Sequence, residues 1–453
     1  MQAANHNLTG LKVLVVGLGR SGKAAAELLL GMGASVDLYD AKESEQAASL
    51  AESLGVSVSF GERPEQVTGY DLVVMSPGVP VEQAFIREAE ADGAEIIGEL
   101  ELAYRYGHGR YVAITGTNGK TTTTTLTGEI FRQAGRKAEL AGNIGIAVAS
   151  QAVQADDDTW LITECSSFQL ETIRQFRPEV SALLNITPDH LDRHGTMENY
   201  AAAKARIFMN QTEDNYFVYN EDDALTRQEA EKCPAVPVPF SRQKELPFGA
   251  FVKDGVITIR DAGGDHAVCA ASELLIPGPH NLENALAAAA MAYFAGISTE
   301  DIAETFRRFK GVAHRIEDCG TVNGVRYIND SKGTNPDAAV KAVLSFDNII
   351  LLAGGYDKGA SYEDFIAAFE GRVKALILMG VTAPAIRKCA EAAGFTEIFD
   401  VDTMAEAVEK ASSIAQEGDT VLLSQACASW GMYPNFEVRG DDFRSQVQKL
   451  AGD

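Results

Sequence analysis

A chain of 453 residues, 46% hydrophobic and 23% charged, has the composition of a soluble globular protein and the length for about three domains. Its 64 acidic residues outweigh 39 basic ones, and the net charge of -25 excludes nucleic-acid binding built on a general basic footprint. Small anionic ligands are not excluded, because local N–H groups and a few cations hold those. The six cysteines (Cys165, Cys233, Cys269, Cys319, Cys389, Cys427) are scattered, with no C-x-x-C pair and no zinc spacing with histidine. That pattern implies reduced thiols and a cytoplasmic protein. Met1 to Leu8 lacks a cationic start and an apolar signal core, and no apolar run approaches the ~18 residues of a membrane helix. Neither a membrane nor a nucleic acid is therefore expected as a partner.

In chain order, Leu11 to Gly17 reads as a buried strand entering Gly17-Leu18-Gly19-Arg20-Ser21-Gly22, a G-x-G-x-x-G turn. A helix is predicted over Lys23 to Met32, and a second strand, Ser35 to Asp40, ends in an acid 18 residues after Gly22. This is the dinucleotide-binding fingerprint. It recognises pyrophosphate and ribose-like hydroxyls, so a nicotinamide cofactor and some other diphosphate both satisfy it. The strand Asp71 to Met75 runs into Ser76-Pro77-Gly78 at the carboxyl edge, where ligands lie in such sheets. With a helix over Glu82 to Asp92 and a short strand at Glu95 to Gly98, residues 1–105 form a first α/β domain.

The second block, 106–311, opens on a strand at Val112 to Ile114. It leads into Gly116-Thr117-Asn118-Gly119, then Lys120, Thr121 and Thr122, and a helix to about Gly135. Strand, glycine turn, lysine, hydroxyl and helix is the layout of a phosphate-binding loop. The glycines let N–H groups close on phosphate oxygens, and the helix N-terminus adds about half a positive charge. Lys120 suits terminal phosphates and Thr121 a Mg2+ ion. Ile114 stands where the usual G-x-x-x-x-G-K-[ST] pattern has its first glycine. Trp160 to Glu164 is an apolar strand delivering a carboxylate, where a second Mg2+ ligand belongs. Val180 to Asn185 is another buried strand, followed by a segment holding Asp189, His190, Asp192 and His194. Such a cluster is either a metal site or a solvated loop. Lys204 lies on a helix, Tyr200 to Phe208, and reads on its own as a snorkelling lysine. Ala250 to Val252 and Val256 to Ile259 suggest a β-ribbon, and Asn281 reads as the cap of a helix over Leu282 to Ala295, or as an amide offered to a ligand.

The third block, 312–453, begins with a basic turn at Val312 to Arg315. Strands are predicted at Val325 to Asp330, Asn348 to Gly355, Val373 to Gly380 and Asp419 to Ser424, alternating with helices. The whole is an α/β chain of three domains in series, doubly wound in pattern.

The motifs GLGRSG (17–22), SPGV (76–79), ITGTNGKTT (114–122), GNIG (142–145), ECSSFQLE (164–171), NITPDHLDRH (185–194), AAKARIF (202–208), HNLENALAA (280–288), HRIE (314–317), NDSKGTN (329–335), GGYDKG (354–359) and LLSQACASW (422–430) come in an order and spacing that resembles the Mur ligases. These enzymes add amino acids to the peptide stem of the bacterial cell-wall precursor. The resemblance is strongest to the branch that adds D-glutamate. It implies a Rossmann-like first domain holding UDP rather than NAD, a P-loop ATPase-like central domain, and a Rossmann-like last domain for the amino acid. Gly17 to Gly22 would face the diphosphate and Asp40 the uracil end. Ser76 and Gly78 would line the same crevice, and Asn143 would touch the sugar-peptide.

For ATP the resemblance implies Gly116 to Thr122 on the phosphates and Asn281 at the adenine, with Arg315 and Asp330 reaching across. Two Mg2+ ions are implied, one held by Thr121 and Glu164 and one near His190. Lys204 matches a lysine that family members carry as a carbamate, a change that replaces a cation near a metal by oxygen ligands. The D-glutamate site would use Lys332, Thr334, Lys358, Ser429 and Phe436. The implied reaction is ATP-dependent formation of an acyl phosphate on UDP-N-acetylmuramoyl-L-alanine and attack by the D-glutamate amine. Lys120, His190 and Lys204 are its catalytic candidates, with a cytoplasmic monomer expected. Three departures stand out. Asp40 is followed by Ala41-Lys42 where Asp-Thr-Arg is frequent, Gly333 replaces a common alanine, and Gly431 replaces a common acid. The rival readings are a nicotinamide oxidoreductase, which leaves the phosphate loop unexplained, and an ATP-gated binding protein, which predicts no amide product. A diamino-acid-adding relative would show an Asn-Pro-Arg motif in the last domain, and the sequence has none.

Overall fold

The structure is a computed structural model describing residues 7–356 and 359–452. It divides into two compact units. The first holds the residues up to Glu273 together with Glu283–Arg307, and the second holds Leu274–Leu282 with the residues from Arg308 on.

The first unit contains two sheets. The N-terminal one is wholly parallel, in the order β3-β2-β1-β4-β5, built from β1 (Lys12–Val16), β2 (Ser35–Asp40), β3 (Ser57–Phe60), β4 (Leu72–Met75) and β5 (Glu95–Gly98). Its strand order reverses between β1 and β4, so the loops after these two strands diverge and leave a crevice at their carboxyl ends. The helix after the glycine turn starts at Arg20, not Lys23, so Arg20, Ser21 and Gly22 belong to its first turn.

The central sheet has the order β14-β13-β12-β11-β10-β9-β6-β8-β7. Its strands are β6 (Arg110–Thr115), β7 (Ala138–Gly142), β8 (Trp160–Glu164), β9 (Val180–Leu183), β10 (Tyr216–Asn220), β11 (Val236–Ser241), β12 (Gly249–Lys253), β13 (Val256–Asp261) and β14 (Gly264–Ala270). From β7 to β12 the pairing is parallel, and β12, β13 and β14 form an antiparallel meander. The expected ribbon is thus present and carries one more strand. The two sheets of this unit share a core. Leu28 and Leu29 from Arg20–Gly31, Leu100 and Ala103 from Glu99–Tyr106, and Val148, Ala149 and Ala152 from Val148–Gln154 are buried in one cluster.

The second unit contains a six-stranded sheet, β15-β16-β20-β17-β18-β19, where four strands were expected. The strands are β15 (Glu317–Val322), β16 (Val325–Asn329), β17 (Ile349–Ala353), β18 (Val373–Leu378), β19 (Ile398–Asp400) and β20 (Thr420–Leu423). The added pair sits at the two edges, where burial patterns are mixed and no continuous apolar run announces a strand. Among the described residues no helix is long and apolar enough to cross a membrane.

Candidate active site

The N-terminal crevice is built by packing that only glycine permits. Gly17 has φ 84°, and a Cβ there would lie 2.9 Å from the Cβ of Ser76; a Cβ on Gly22 would lie 1.9 Å from the Gly17 carbonyl oxygen. The Ser76 hydroxyl donates to the Gly17 carbonyl at 2.7 Å, so the turns after β1 and β4 are fastened together. Asp40, at the end of β2, accepts the Leu18 N–H at 2.7 Å and the Lys42 N–H at 3.0 Å. Its carboxylate therefore braces the glycine turn from below. Lys42 contributes a backbone N–H to this arrangement. Arg20 reaches beyond its own sheet, donating to the Gly145 carbonyl at 3.0 Å. Gly78 lies in the turn after β4, beside Ser76.

In the central sheet β6 lies between β8 and β9, and the register pairs Ile114 with Glu164 and Thr115 with Leu183. The phosphate loop, Glu164 and Asn185 consequently emerge side by side. Gly116 and Gly119 have φ of 153° and 84°. The loop is held from the β9 side: Asn185 accepts the Asn118 N–H at 2.8 Å and donates to the Asn118 carbonyl at 3.0 Å, and Thr117 exchanges hydrogen bonds with Thr187. Lys120 Nζ donates to the Gly116 and Thr117 carbonyls, both at 2.8 Å. Thr121 and Thr122, in the first turn of Lys120–Gln133, are buried. Glu164 is 1% exposed and accepts the Asn143 side-chain amide at 2.7 Å, so the expected sugar-peptide ligand and the expected metal ligand are joined.

Lys204 does not snorkel. It is 1% exposed, and its Nζ donates to the Gly116 carbonyl at 2.8 Å, the same oxygen that Lys120 binds. Its helix, Met197–Ala205, buries Tyr200, Ala201, Ala203 and Ala205 along with it. Burial first, and the Lys120 charge second, hold its pKa well below the usual lysine range. Asp189 and Glu164 oppose that shift, which identifies them as neighbouring carboxylates. Lys204 also lies 4.5 Å from the Tyr200 ring, whose hydroxyl is 3.3 Å from Thr117 Oγ1. His190 adopts φ 52°, its N–H donating to Asp189 at 3.0 Å and its ring packing edge-on to Phe168 at 5.0 Å. Among the described residues no group of three His, Cys, Asp or Glu side chains is arranged as a ready metal cage. The donor set near the loop is a hydroxyl, carboxylates and an imidazole, chemistry that suits Mg2+ with retained waters.

Asn284 escaped the sequence reading. It accepts from Thr123 Oγ1 at 3.2 Å, and a Cβ on Gly119 would lie 2.3 Å from its Oδ1.

Within the second unit, Asn281 is not the helix cap. The helix runs Pro279–Phe294, so Asn281 sits in its first turn with its amide donating to the Pro277 carbonyl at 2.6 Å. A proline at the first helical position explains the earlier start. Asp330 follows β16 and meets Ser424, which follows the adjacent β20: the Ser424 hydroxyl donates to it at 2.8 Å, and the Ile316 N–H at 3.3 Å. Burial raises the Asp330 pKa to about 6 against the opposing Arg315 charge. Arg315 itself pairs in a short bridge with Val312. Gly333 matters sterically, since a Cβ there would stand 2.5 Å from Asp330 Oδ2. Lys332 lies 5.3 Å from the Phe436 ring, and Ser429 is buried. Thr334 follows in the same turn, its N–H donating to the Lys332 carbonyl. Lys358 lies outside the described residues. Arg439, unremarked in the sequence, is 2% exposed and donates to Ser331 Oγ, the Ser331 carbonyl and the Cys427 carbonyl. It thereby fixes the two loops that carry Lys332 and Ser429. Gly431, with φ 86°, occupies a left-handed turn with open space around it.

Three family profiles match in series: "Mur ligase MurD-like, N-terminal domain" over residues 11–98, "Mur ligase middle domain" over 114–292, and "Mur ligase, glutamate ligase domain" over 314–427. Among curated relatives, the UDP-N-acetylmuramoylalanine–D-glutamate ligase of Thermoanaerobacter sp. (strain X514) is 49% identical over 450 residues, 98% of this chain and 99% of the relative. The protein of the same name from Clostridioides difficile (strain 630) is 45% identical over 450 residues, covering 98% and 100%. Among solved structures, the UDP-N-acetylmuramate-alanine ligase of Thermotoga maritima superposes with a TM-score of 0.60 at 20% identity, covering 97% of this chain and 99% of that one. A pseudomurein peptide ligase type C from Methanothermus fervidus gives 0.59 at 18%, covering 97% and 100%. These two likenesses bear on the fold.

Proposed function

Because the chain belongs to the Mur ligase family, we propose that it joins D-glutamate to UDP-N-acetylmuramoyl-L-alanine with ATP, in cytoplasmic cell-wall precursor synthesis, as a monomer. The observation that carries this reading is the row of strand ends β8, β6 and β9. It sets Glu164, the phosphate loop and Asn185 together in a chain 49% identical to a D-glutamate ligase.

In this reading the turns at Gly17–Gly22 and Ser76–Gly78, braced by Asp40, hold the UDP diphosphate, and Asn143 orients the sugar-peptide. The N–H groups of Gly116 to Thr122 and the Lys120 ammonium receive the ATP phosphates. Thr121, Glu164 and His190, with Lys204 as a carbamate, would hold Mg2+, two ions in all, which offset charge on the transferred phosphoryl group. The alanyl carboxylate attacks the terminal phosphorus, giving an acyl phosphate and ADP. The deprotonated amine of D-glutamate then adds to the acyl carbon, and the tetrahedral intermediate expels phosphate to leave an amide. Asn281, Arg315 and Asp330 serve the nucleotide. Lys332, Thr334, Lys358, Ser429 and Phe436 serve D-glutamate, two cations and two hydroxyls suiting a dicarboxylate. His190 acts chiefly by positioning metal.

Phosphate release with ATP, Mg2+ and UDP-N-acetylmuramoyl-L-alanine, measured with one amino acid at a time, tests this. D-glutamate should support turnover. Equal turnover with L-alanine or lysine would overturn the amino-acid assignment, and tight NADH binding without phosphate release would overturn the whole.

A further inference from the structure

Arg193 belongs to neither the phosphate loop nor the glycine turn, yet it bonds the turn after β4, to which the glycine turn is fastened. It stands three positions after His190, in the single helical turn Leu191–His194. Its side chain is 15% exposed and leaves the central domain to donate to two carbonyls of the turn after β4, Pro77 at 3.1 Å and Val79 at 3.4 Å. The same guanidinium donates to Glu171 at 2.6 Å and lies 4.2 Å from the centre of the Phe168 ring. Phe168 packs edge-on to His190 at 5.0 Å and stacks on His194 at 5.4 Å. His194 in turn is 2.9 Å from the Ser167 hydroxyl. A cavity of only about 10 Å3 remains between these groups, lined by Ser76, Val79, Glu99, Phe168 and Arg193.

We propose that Arg193 is a positioning residue for the UDP-bearing substrate, locking the turn after β4 to the segment that carries His190. The inference rests on the reading that this turn and the Gly17–Gly22 turn hold the diphosphate. The Ser76 hydroxyl bonds the Gly17 carbonyl and the two turns approach closely, so displacing the Pro77–Val79 segment would displace the glycine turn. A guanidinium can serve two carbonyls, a carboxylate and an aromatic face at once; a lysine, with a compact point charge, cannot. Arg193→Lys therefore keeps the charge and removes the clamp. Glu171→Gln removes the anionic anchor that aims the guanidinium.

The test measures binding of UDP itself by calorimetry to the full-length protein and the two variants, alongside KM for UDP-N-acetylmuramoyl-L-alanine and for ATP. Losing several hydrogen bonds of a charged donor corresponds to about tenfold or more in affinity. The expected result is a Kd for UDP and a KM for the UDP substrate raised about tenfold in Arg193→Lys and several-fold in Glu171→Gln, with KM for ATP within about twofold. If wild-type protein fails to bind UDP, the underlying reading falls and this inference with it. If wild-type and Arg193→Lys bind UDP equally, or if KM for ATP and for the UDP substrate rise together, the positioning role is overturned and Arg193 is a staple of general stability. Arg193→Lys retains a cation over the Phe168 ring, so the test does not hinge on a variant that fails to fold.

Discussion

Replacing Lys204 with alanine is the most searching perturbation of the central site. Lys120 and Lys204 each place Nζ 2.8 Å from the Gly116 carbonyl oxygen, so the two nitrogens lie no more than twice that distance apart. Two cations at such a separation repel by about 3 kcal/mol at an effective dielectric near 20, roughly a hundredfold in a protonation equilibrium. Burial is the larger cause and this repulsion the second, and the amine is driven toward its neutral, nucleophilic form. A neutral amine can add carbon dioxide, forming a C–N bond and releasing one proton. The resulting carbamate turns the repulsion with Lys120 into an attraction of about the same size. Lys204→Ala should therefore lower kcat for phosphate release about a hundredfold or more, and formate or acetate diffusing into the vacated space should restore part of it. Acetamide, uncharged but similar in size, should not. A Lys204→Ala protein with kcat within threefold of wild type refutes the reasoning, and so does equal rescue by acetamide.

Lys120→Ala, which removes the ammonium bound to the loop carbonyls, should lower phosphate release about a hundred- to a thousandfold with little change in thermal midpoint; near-normal turnover would count against the site. Glu99 is fully buried, accepts the Ala149 N–H at 2.5 Å, and is pushed up by burial to about 7. Its folded-state pKa lies above the unfolded one, so its contribution is present below about pH 4.5 and is lost as pH rises through about 7. Glu99→Gln should flatten that fall, and a thermal midpoint measured from pH 5 to pH 8 that declines as in wild type would contradict this. Gly119→Ala forces a left-handed residue and a contact 2.3 Å from Asn284 Oδ1, and should raise KM for ATP about tenfold. Gly135→Ala, at φ 71° in open space, should cost about 1 kcal/mol of stability and leave that KM alone. Glu101 is buried and accepts the N–H groups of Arg174, Gln175 and Phe176 and the Arg105 guanidinium, so Glu101→Ala should cost about 3 kcal/mol or more in urea unfolding; a loss under 1 kcal/mol would disprove its anchoring role.

What the sequence makes legible is local. The phosphate loop can be read because its chemistry is contiguous: Gly116 and Gly119 take the positive φ angles it needs, Lys120 follows, and a helix begins. Glu164 can be read because an apolar strand ends on it. Asn284, Asn185, Arg193 and Arg439 cannot, because their partners are far along the chain. Thr123 is 161 residues from Asn284, and Ser331 is 108 residues from Arg439. Lys204 shows the same limit from the other side. Helical spacing announces its small neighbours but not that this face meets Gly116, 88 residues earlier. The helix start ahead of Asn281 was within reach of the sequence, since Pro279 is a helix-start signal in its own right. The strands at Glu317–Val322 and Ile398–Asp400 were not, because edge strands in mixed environments lose the alternation that marks them.

The N-terminal sheet and the central sheet close over a common apolar interior. In it Leu28, Leu100 and Ala103 meet Val148, Ala149 and Ala152, and Gly107 lies so near Ala152 that a Cβ would come within 2.4 Å. This has a bearing on recombination. A crossover placed in the loop between Tyr106 and Arg110 would exchange one half of a fitted surface for a stranger's, and both parents' halves would arrive with mismatched volumes. Chimeras joined after Arg307 keep that surface whole. Shuffled libraries of this chain with its relatives should therefore yield soluble proteins with the first two domains inherited as a block.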